Sequence, residues 1–378
     1  MANEASKLDV RVLQQPRLPI LSRVYRGVVV YAIQILREPA AWFQDWAHPP
    51  EIPPNYVKKY SCRPYLPIRV FFPKSYDPHS SKTPLPTIYT IHGGGFCFGR
   101  SNDDDAWNAQ FANMHNVLVV ALNYRKAPSY PFPTATYDLE ALILATLDDD
   151  SLPIDKTRIA IGGFSAGGSL TLSVCQLPSI REKVKPSAAV PIYAVVDKAI
   201  RPEIKLKTRY YKPGLGPGMR SAPTDYLAKL SPFFLWSYIE PGINLTDPLL
   251  SPYFAPRNTL PPHIFFIGVE LDQLAHETWA MANRLAGRPE PLLTDVVGQE
   301  KPGPGKGELI LDDERFAFEH VEDKGKSSIR WLLIPDQIHG FDHLPARWLG
   351  GEDLEDAKLK MTAYQKLVGE WLLGFVWK

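Results

Sequence analysis

The sequence predicts an α/β fold, a mostly parallel central sheet flanked by helices, and three observations carry that reading. Short, nearly continuous apolar runs recur along the chain, as in strands buried on both faces. Helical segments separate most of them. One run, residues 158–162, leads through the turn Gly163-Phe164-Ser165-Ala166-Gly167 into small, apolar residues that can open a packed helix.

Taken in order, residues 19–46 form an unusually apolar helical pattern that ends in Trp42, Phe43 and Trp46. A helix buried on the body of the protein is expected there, compatible with a lid over a pocket. Strands are expected at 68–72, 87–91, 117–122, 159–162, 188–193, 263–269 and 330–334, the fifth weakened by Pro191. Helices are expected at 134–147, 277–285 and 354–376. Two regions break the rhythm. Residues 196–246 are rich in proline and aromatics, including Phe233, Phe234 and Trp236. Residues 287–329 are polar, and the glycine, proline and charge of 298–307 predict a mobile surface insertion.

Size and composition narrow the class. At 378 residues two domains are allowed, but α/β proteins of this length are often built around one sheet, and a single domain over 1–378 is expected. A hydrophobic content of 45% and a charged content of 22% are ordinary for a soluble globular protein. A net charge of +1 gives nucleic acid or an anionic membrane no handle. The 37 prolines, about twice the usual share, stiffen long surface segments. Cys62, Cys97 and Cys175 are odd in number and lack metal-ligand spacing, so neither a disulfide framework nor a metal site is expected, and a reducing, cytoplasmic setting is. The first residues lack the pattern of a secretory signal. The apolar run 28–36 falls far short of the about 20 residues that span a bilayer, which predicts no stable membrane insertion.

The turn at Ser165 has the context of a nucleophile elbow, a G-x-S-x-G between strand and helix. Glycines flank the serine where a Cβ would crowd the backbone, and the hydroxyl is pushed outward. Seventy residues upstream, His92-Gly93-Gly94-Gly95-Phe96 follows a strand, and its glycines leave the backbone free to aim N–H groups at a developing oxyanion. A serine nucleophile needs a base, and the base needs an orienting carboxylate. In chain order these should follow the serine from loops after later strands. Asp272 follows the strand ending at Val269, and His339 follows the strand ending at Ile334. The competitors are poorer. Glu270 reads as still in the strand, and Asp336 is too close to His339 in sequence to reach it from a separate loop. His343 lacks a following glycine, and His276 falls inside a helix.

These residues, with Asn123-Tyr124-Arg125-Lys126-Ala127-Pro128, Pro131-Phe132-Pro133, Asp247-Pro248-Leu249-Leu250-Ser251-Pro252, Asp272-Gln273-Leu274 and His339-Gly340-Phe341, resemble the hormone-sensitive-lipase-like carboxylesterases of the α/β-hydrolase superfamily. The motifs span about residues 68–376 in the family's order. The resemblance implies the α/β-hydrolase fold, with Ser165 as nucleophile, His339 as general acid and base, and Asp272 as its partner. It implies an oxyanion hole made by the amides of Gly94, Gly95 and Ala166, with His92 holding the glycine loop. It also implies a helical cap formed by about 1–55 and 196–246, and an apolar pocket with Trp42, Phe43, Trp46, Phe96, Phe233, Phe234 and Trp236 as candidates. No cofactor or metal is implied. The expected partner is a small-molecule ester, with nucleic acid excluded and a homodimer left open.

The chain departs from the family in two places. Phe164 stands where many members carry an acidic residue, and the segment 287–329 is longer than usual, with no purpose that the sequence discloses. The expected activity is cleavage of carboxylic esters with short to medium acyl chains through an acyl-enzyme. Lactone opening, amide cleavage, acyl transfer or natural-product cyclisation use the same groups and stay open, because the cap sets the substrate. A silent ligand receptor on this fold would lack a working histidine, whereas His339 is present.

Overall fold

Nine strands form one sheet. In chain order they are Tyr56–Tyr60 (β1), Arg63–Phe71 (β2), Leu85–Ile91 (β3), Leu118–Leu122 (β4), Ile154–Phe164 (β5), Ala188–Ile192 (β6), His263–Val269 (β7), Ala317–Glu322 (β8) and Ser327–Ile334 (β9). Their spatial order is β1-β2-β4-β3-β5-β6-β7-β9-β8. The six strands from β4 to β9 in that order pair in parallel. The antiparallel pairs lie at the two edges, β1 with β2 and β2 with β4 on one side, β8 with β9 on the other. The computed structural model describes residues 11–47, 52–78, 80–344 and 349–378, without the side chains of residues 38 and 40–47.

The helices are Ile20–Ala47 (α1), Asp105–His115 (α2), Thr134–Leu147 (α3), Ala166–Cys175 (α4), Pro202–Lys205 (α5), Tyr226–Tyr238 (α6), Ala275–Leu285 (α7) and Gly351–Trp371 (α8). Strand side chains alternate between two buried layers. Tyr89 and Ile91 face the layer holding Leu139 of α3 and Leu170 of α4, while Ile88 faces the layer holding Phe111 of α2 and Val368 of α8. A hydrogen bond of 2.7 Å from Trp107 Nε1 to Tyr364 Oη joins α2 to α8 inside the second layer. Coverage on both faces is why the central strands read as continuous apolar runs.

The order reverses at β3, with β4 on one side and β5 on the other, and ligands of open α/β sheets bind outside the carboxyl ends of strands at such a point. His92 follows β3 there and Ser165 follows β5. Pro191 is tolerated inside β6 because the ladder to β7 skips Val190 and Pro191. The three cysteines are unpaired.

Two expectations need correction. The helix expected at 19–46 is present as α1, but it is not buried on the body. Val30 is buried, whereas Ile20, Leu21, Val24, Tyr25, Val28, Ile35 and Leu36 are exposed. It leans on α6 through the bond from Arg26 Nη1 to the Pro232 carbonyl and the approach of Gly27 to Trp236, and reaches the body through Gln34 Nε2, which donates to the Cys97 and Ala127 carbonyls at 2.8 Å each. The segment 287–329 holds an edge strand, β8, and its backbone is tied down, as described below. The strands β1 and β8 and the helix α2 have no counterpart in the sequence reading.

Candidate active site

Four loops meet at the carboxyl edge of β3, β5, β7 and β9, and each supplies one part of the site. Ser165 sits between β5 and α4 at φ 55° and ψ −114°, a strained conformation for a residue with a Cβ. Two backbone bonds pin it, Ser165 N–H to the Ile192 carbonyl at 2.9 Å and Ser169 N–H to the Ser165 carbonyl at 3.1 Å. Gly167 makes the turn feasible. A Cβ there would overlap the Ile91 carbonyl and lie 2.6 Å from the His92 carbonyl oxygen, so only glycine lets α4 start this close to β3.

The loop after β9 brings His339 to the serine, with Nε2 2.7 Å from Ser165 Oγ. Its Nδ1 lies 2.6 Å from Asp272 Oδ2, and Asp272 Oδ1 accepts the Leu274 N–H at 2.9 Å. With Nδ1–H donating to the carboxylate, Nε2 is left as an acceptor for the serine proton. Burial by itself lowers the pKa of His339, but the negative charges of Asp272, Asp225 and Asp342 outweigh it and leave the pKa raised.

Gly94 and Gly95 follow β3 at φ 104° and 60°. Among the described residues no protein acceptor takes the N–H groups of Gly94, Gly95 or Ala166, which leaves three donors beside Ser165. His92 braces the loop behind them. Its Nδ1 is 2.8 Å from the Gly93 carbonyl, Lys126 Nζ is 3.1 Å from Nε2, and Tyr124 stacks on the ring at 4.4 Å. Burial and the charge of Lys126 hold His92 well below its ordinary pKa, so it is neutral.

A small, partly open cavity lies over Ser165. Phe96 and Phe234 line it, as do Leu227, Ser231, Leu235 and Tyr238 of α6. These α6 positions are one helical face, and the cavity is its exposed side. Phe233 and Trp236 do not line it. They face the other way, Phe233 against Tyr25 at 5.9 Å between ring centroids and Trp236 against Gly27. The pocket roles expected for those two are therefore replaced by packing between α6 and α1. Trp42, Phe43 and Trp46 belong to α1, but their side chains lie outside the described residues.

Several groups that the sequence reading missed hold the site together. Asp225 caps α6 by accepting the Leu227 N–H at 2.8 Å, and it also accepts the Gln273 N–H at 2.8 Å, next to Asp272. Burial and the nearby charge of Asp272 push the Asp225 pKa up to about 6. Tyr226 donates to the His339 carbonyl at 2.7 Å, and Arg209 donates to the Leu271 carbonyl at 2.8 Å. Thus the excursion 196–246 touches both partner loops of the serine.

Glu270 and Asp336, the rejected acid candidates, share the fully buried Lys212, each at 2.7 Å. The same carboxylates accept Gln299 N–H at 2.8 Å and Gly303 N–H at 2.6 Å. This binds the 287–329 segment to the loops carrying Asp272 and His339, through backbone amides that leave no side-chain signature in the sequence. It also corrects the expectation of a mobile insertion.

Phe164, the departure within the elbow, packs edge-on against Trp107 at 5.2 Å and against His343 at 4.4 Å. His343 lies between Asp104 at 3.0 Å and Asp342 at 2.9 Å. Burial lowers its pKa, but the two carboxylates overcome that and raise it well above the ordinary histidine value. The second histidine of the loop is thus a partly buried group held between two carboxylates that favour its protonated form.

Comparison with known proteins agrees with this architecture. Residues 88–298, more than half of the chain, match a family model described as an alpha/beta hydrolase fold. An arylesterase of Saccharolobus solfataricus is 30% identical over 232 residues, covering 61% of this chain and 69% of that protein. An ethyl acetate hydrolase of Pseudomonas putida is 39% identical over 140 residues, covering 36% of this chain and 42% of that one. In three dimensions an esterase of Pyrobaculum calidifontis superposes with a TM-score of 0.63 at 20% identity, covering 95% of this chain and all of that one, a likeness of fold. The chain belongs to the α/β-hydrolase family, in the hormone-sensitive-lipase-like group that its motifs mark out. Among the described residues no helix is long and apolar enough to cross a membrane.

Proposed function

We propose that the protein is a serine hydrolase cleaving carboxylic esters with short to medium acyl chains through an acyl-enzyme. The observation that carries this reading is the unbroken hydrogen-bonded chain Ser165–His339–Asp272 beside three unused N–H donors. His339 Nε2 takes the proton of Ser165 Oγ as the oxygen attacks the ester carbonyl. The new oxyanion rests on the N–H groups of Gly94, Gly95 and Ala166, each worth about 3 kcal/mol by analogy with a donor deletion in an unrelated hydrolase. His339 then gives the proton to the leaving alkoxide, and the acyl group stays on Ser165. Water, deprotonated by the same nitrogen, attacks the acyl-enzyme and releases the acid.

In this reading α1 and 196–246 form a cap over the serine. The contacts of Tyr226 and Asp225, at the start of α6, with the loops of His339 and Asp272 support it. The reading is tested by steady-state turnover of p-nitrophenyl esters from acetate to octanoate, beside lactone and anilide panels, as a function of pH. Esters are expected to be the best substrates. Protonated His339 cannot accept the serine proton, so kcat/KM should fall about tenfold per pH unit on the acid side. The midpoint should lie above 6.5, the ordinary value from which the His339 pKa is raised. A better rate on lactones or anilides, or no acid limb, would count against it.

A further inference from the structure

The walls of the cavity over Ser165 are largely apolar, yet two lysines, Lys198 and Lys205, also line it. Both are buried, at 4% and 7% exposure. Lys205 is paired with Glu277, and Glu277 also accepts the Val196 N–H at 2.8 Å and the Asp197 N–H at 3.2 Å. Asp197 is paired with Arg11 at 3.0 Å.

Lys198 is different. Its Nζ donates to Ser169 Oγ at 2.8 Å, to the Leu250 carbonyl at 2.5 Å and, over a long 3.3 Å, to the Val195 carbonyl. All three acceptors are neutral, and among the described residues no carboxylate pairs with it. Arg11 is thus matched by Asp197 and Lys205 by Glu277, and Lys198 is the one of these three basic groups without a carboxylate partner among the described residues. Burial, opposed by the charges of Glu277 and Asp197 and aided by that of Lys205, brings the pKa of Lys198 down to about 7.

Its position matters as much as its charge. Ser169, which Lys198 Nζ contacts at 2.8 Å, lies about 6 Å of helix rise along α4 from Ser165. The ring of Phe96, which lines the same cavity, is 5.2 Å from Nζ. An alkyl chain entering here brings Lys198 no countercharge, and the amine stays easily deprotonated. A carboxylate supplies the missing countercharge and replaces the long Val195 bond by a charge-assisted one in a wall shielded from water.

Building on the ester-hydrolase reading, we infer that the preferred substrate is an ester whose cavity-bound half carries a carboxylate, and that Lys198 selects it by ion pairing. Two matched pairs test this, one for each half of the ester. They are mono-p-nitrophenyl adipate against p-nitrophenyl hexanoate, and 4-acetoxybenzoate against phenyl acetate, all corrected for spontaneous hydrolysis. The wild-type protein should favour the charged member of at least one pair by about tenfold or more in kcat/KM, through KM. Lys198→Met should cut that ratio by about tenfold or more, and Lys198→Arg should keep part of it. The inference is overturned if neutral esters are hydrolysed with no preference for either charged partner, or if the ratio is unchanged in Lys198→Met. Where the methionine variant does not fold, the wild-type ratios decide alone. Absence of turnover on all four esters sinks the ester-hydrolase reading itself, a result distinct from turnover without charge preference.

Discussion

Ser165→Ala is expected to lower kcat for p-nitrophenyl butyrate by about 10⁶-fold, by analogy with nucleophile deletion in an unrelated serine protease. The size follows from the arrangement. In the proposed mechanism the serine oxygen is the group that attacks, and His339 Nε2 is hydrogen-bonded to it at 2.7 Å. The fold should survive. The strained φ of 55° is imposed by backbone bonds to Ile192 and from Ser169, both of which alanine keeps. A circular dichroism melt close to that of the parent protein, together with lost turnover, is the expected pair of results. Retained turnover would mean that water or another group attacks the ester.

Asp272→Asn is expected to lower kcat by about 10⁴-fold with little change in KM, as the same change does in a serine protease triad. Asp272 Oδ2 lies 2.6 Å from His339 Nδ1 and requires that nitrogen to carry the proton. The other oxygen, Oδ1, already accepts the Leu274 N–H, so an asparagine must keep its carbonyl there and present its amide to the histidine. Nδ1 then becomes an acceptor, the proton moves to Nε2, and the base faces Ser165 with nothing to accept. The substrate cavity does not include Asp272, which is why KM should hold while kcat falls. An equal loss in KM would point to a rearranged loop after β7.

How much of this was legible in the chain depends on what each element buries. The inner strands were readable because both of their faces are covered, as in Leu118–Leu122, where every residue is buried. The edge strands were not. Ala317–Glu322 is polar and half exposed, and Tyr56–Tyr60 carries two lysines, so neither has an apolar signature. The candidate site residues were legible because glycine is forced where β3, Ser165 and α4 crowd together, and because Asp272 and His339 follow successive parallel strands. The structure places Ser165, His339 and Asp272 in one hydrogen-bonded chain.

The walls of the site were much less legible. Phe233, Phe234 and Trp236 are equally aromatic in sequence, and only the phase of α6 against α1 separates the one that lines the cavity from the two that do not. Lys198 follows Asp197 in a stretch with no motif around it, and its missing carboxylate emerges only when Ser169 and Leu250 are brought to it from distant segments. The 287–329 segment contacts the site through the amides of Gln299 and Gly303, which every residue except proline possesses.

The central claim is that Ser165 is the nucleophile, activated by His339. Covalent labelling with a fluorophosphonate, read by intact mass and peptide mapping, tests it most directly. One adduct per chain is expected, on the peptide containing Ser165, formed more slowly below the His339 pKa and absent in Ser165→Ala. A protein left unmodified, or labelled at another residue, would contradict it.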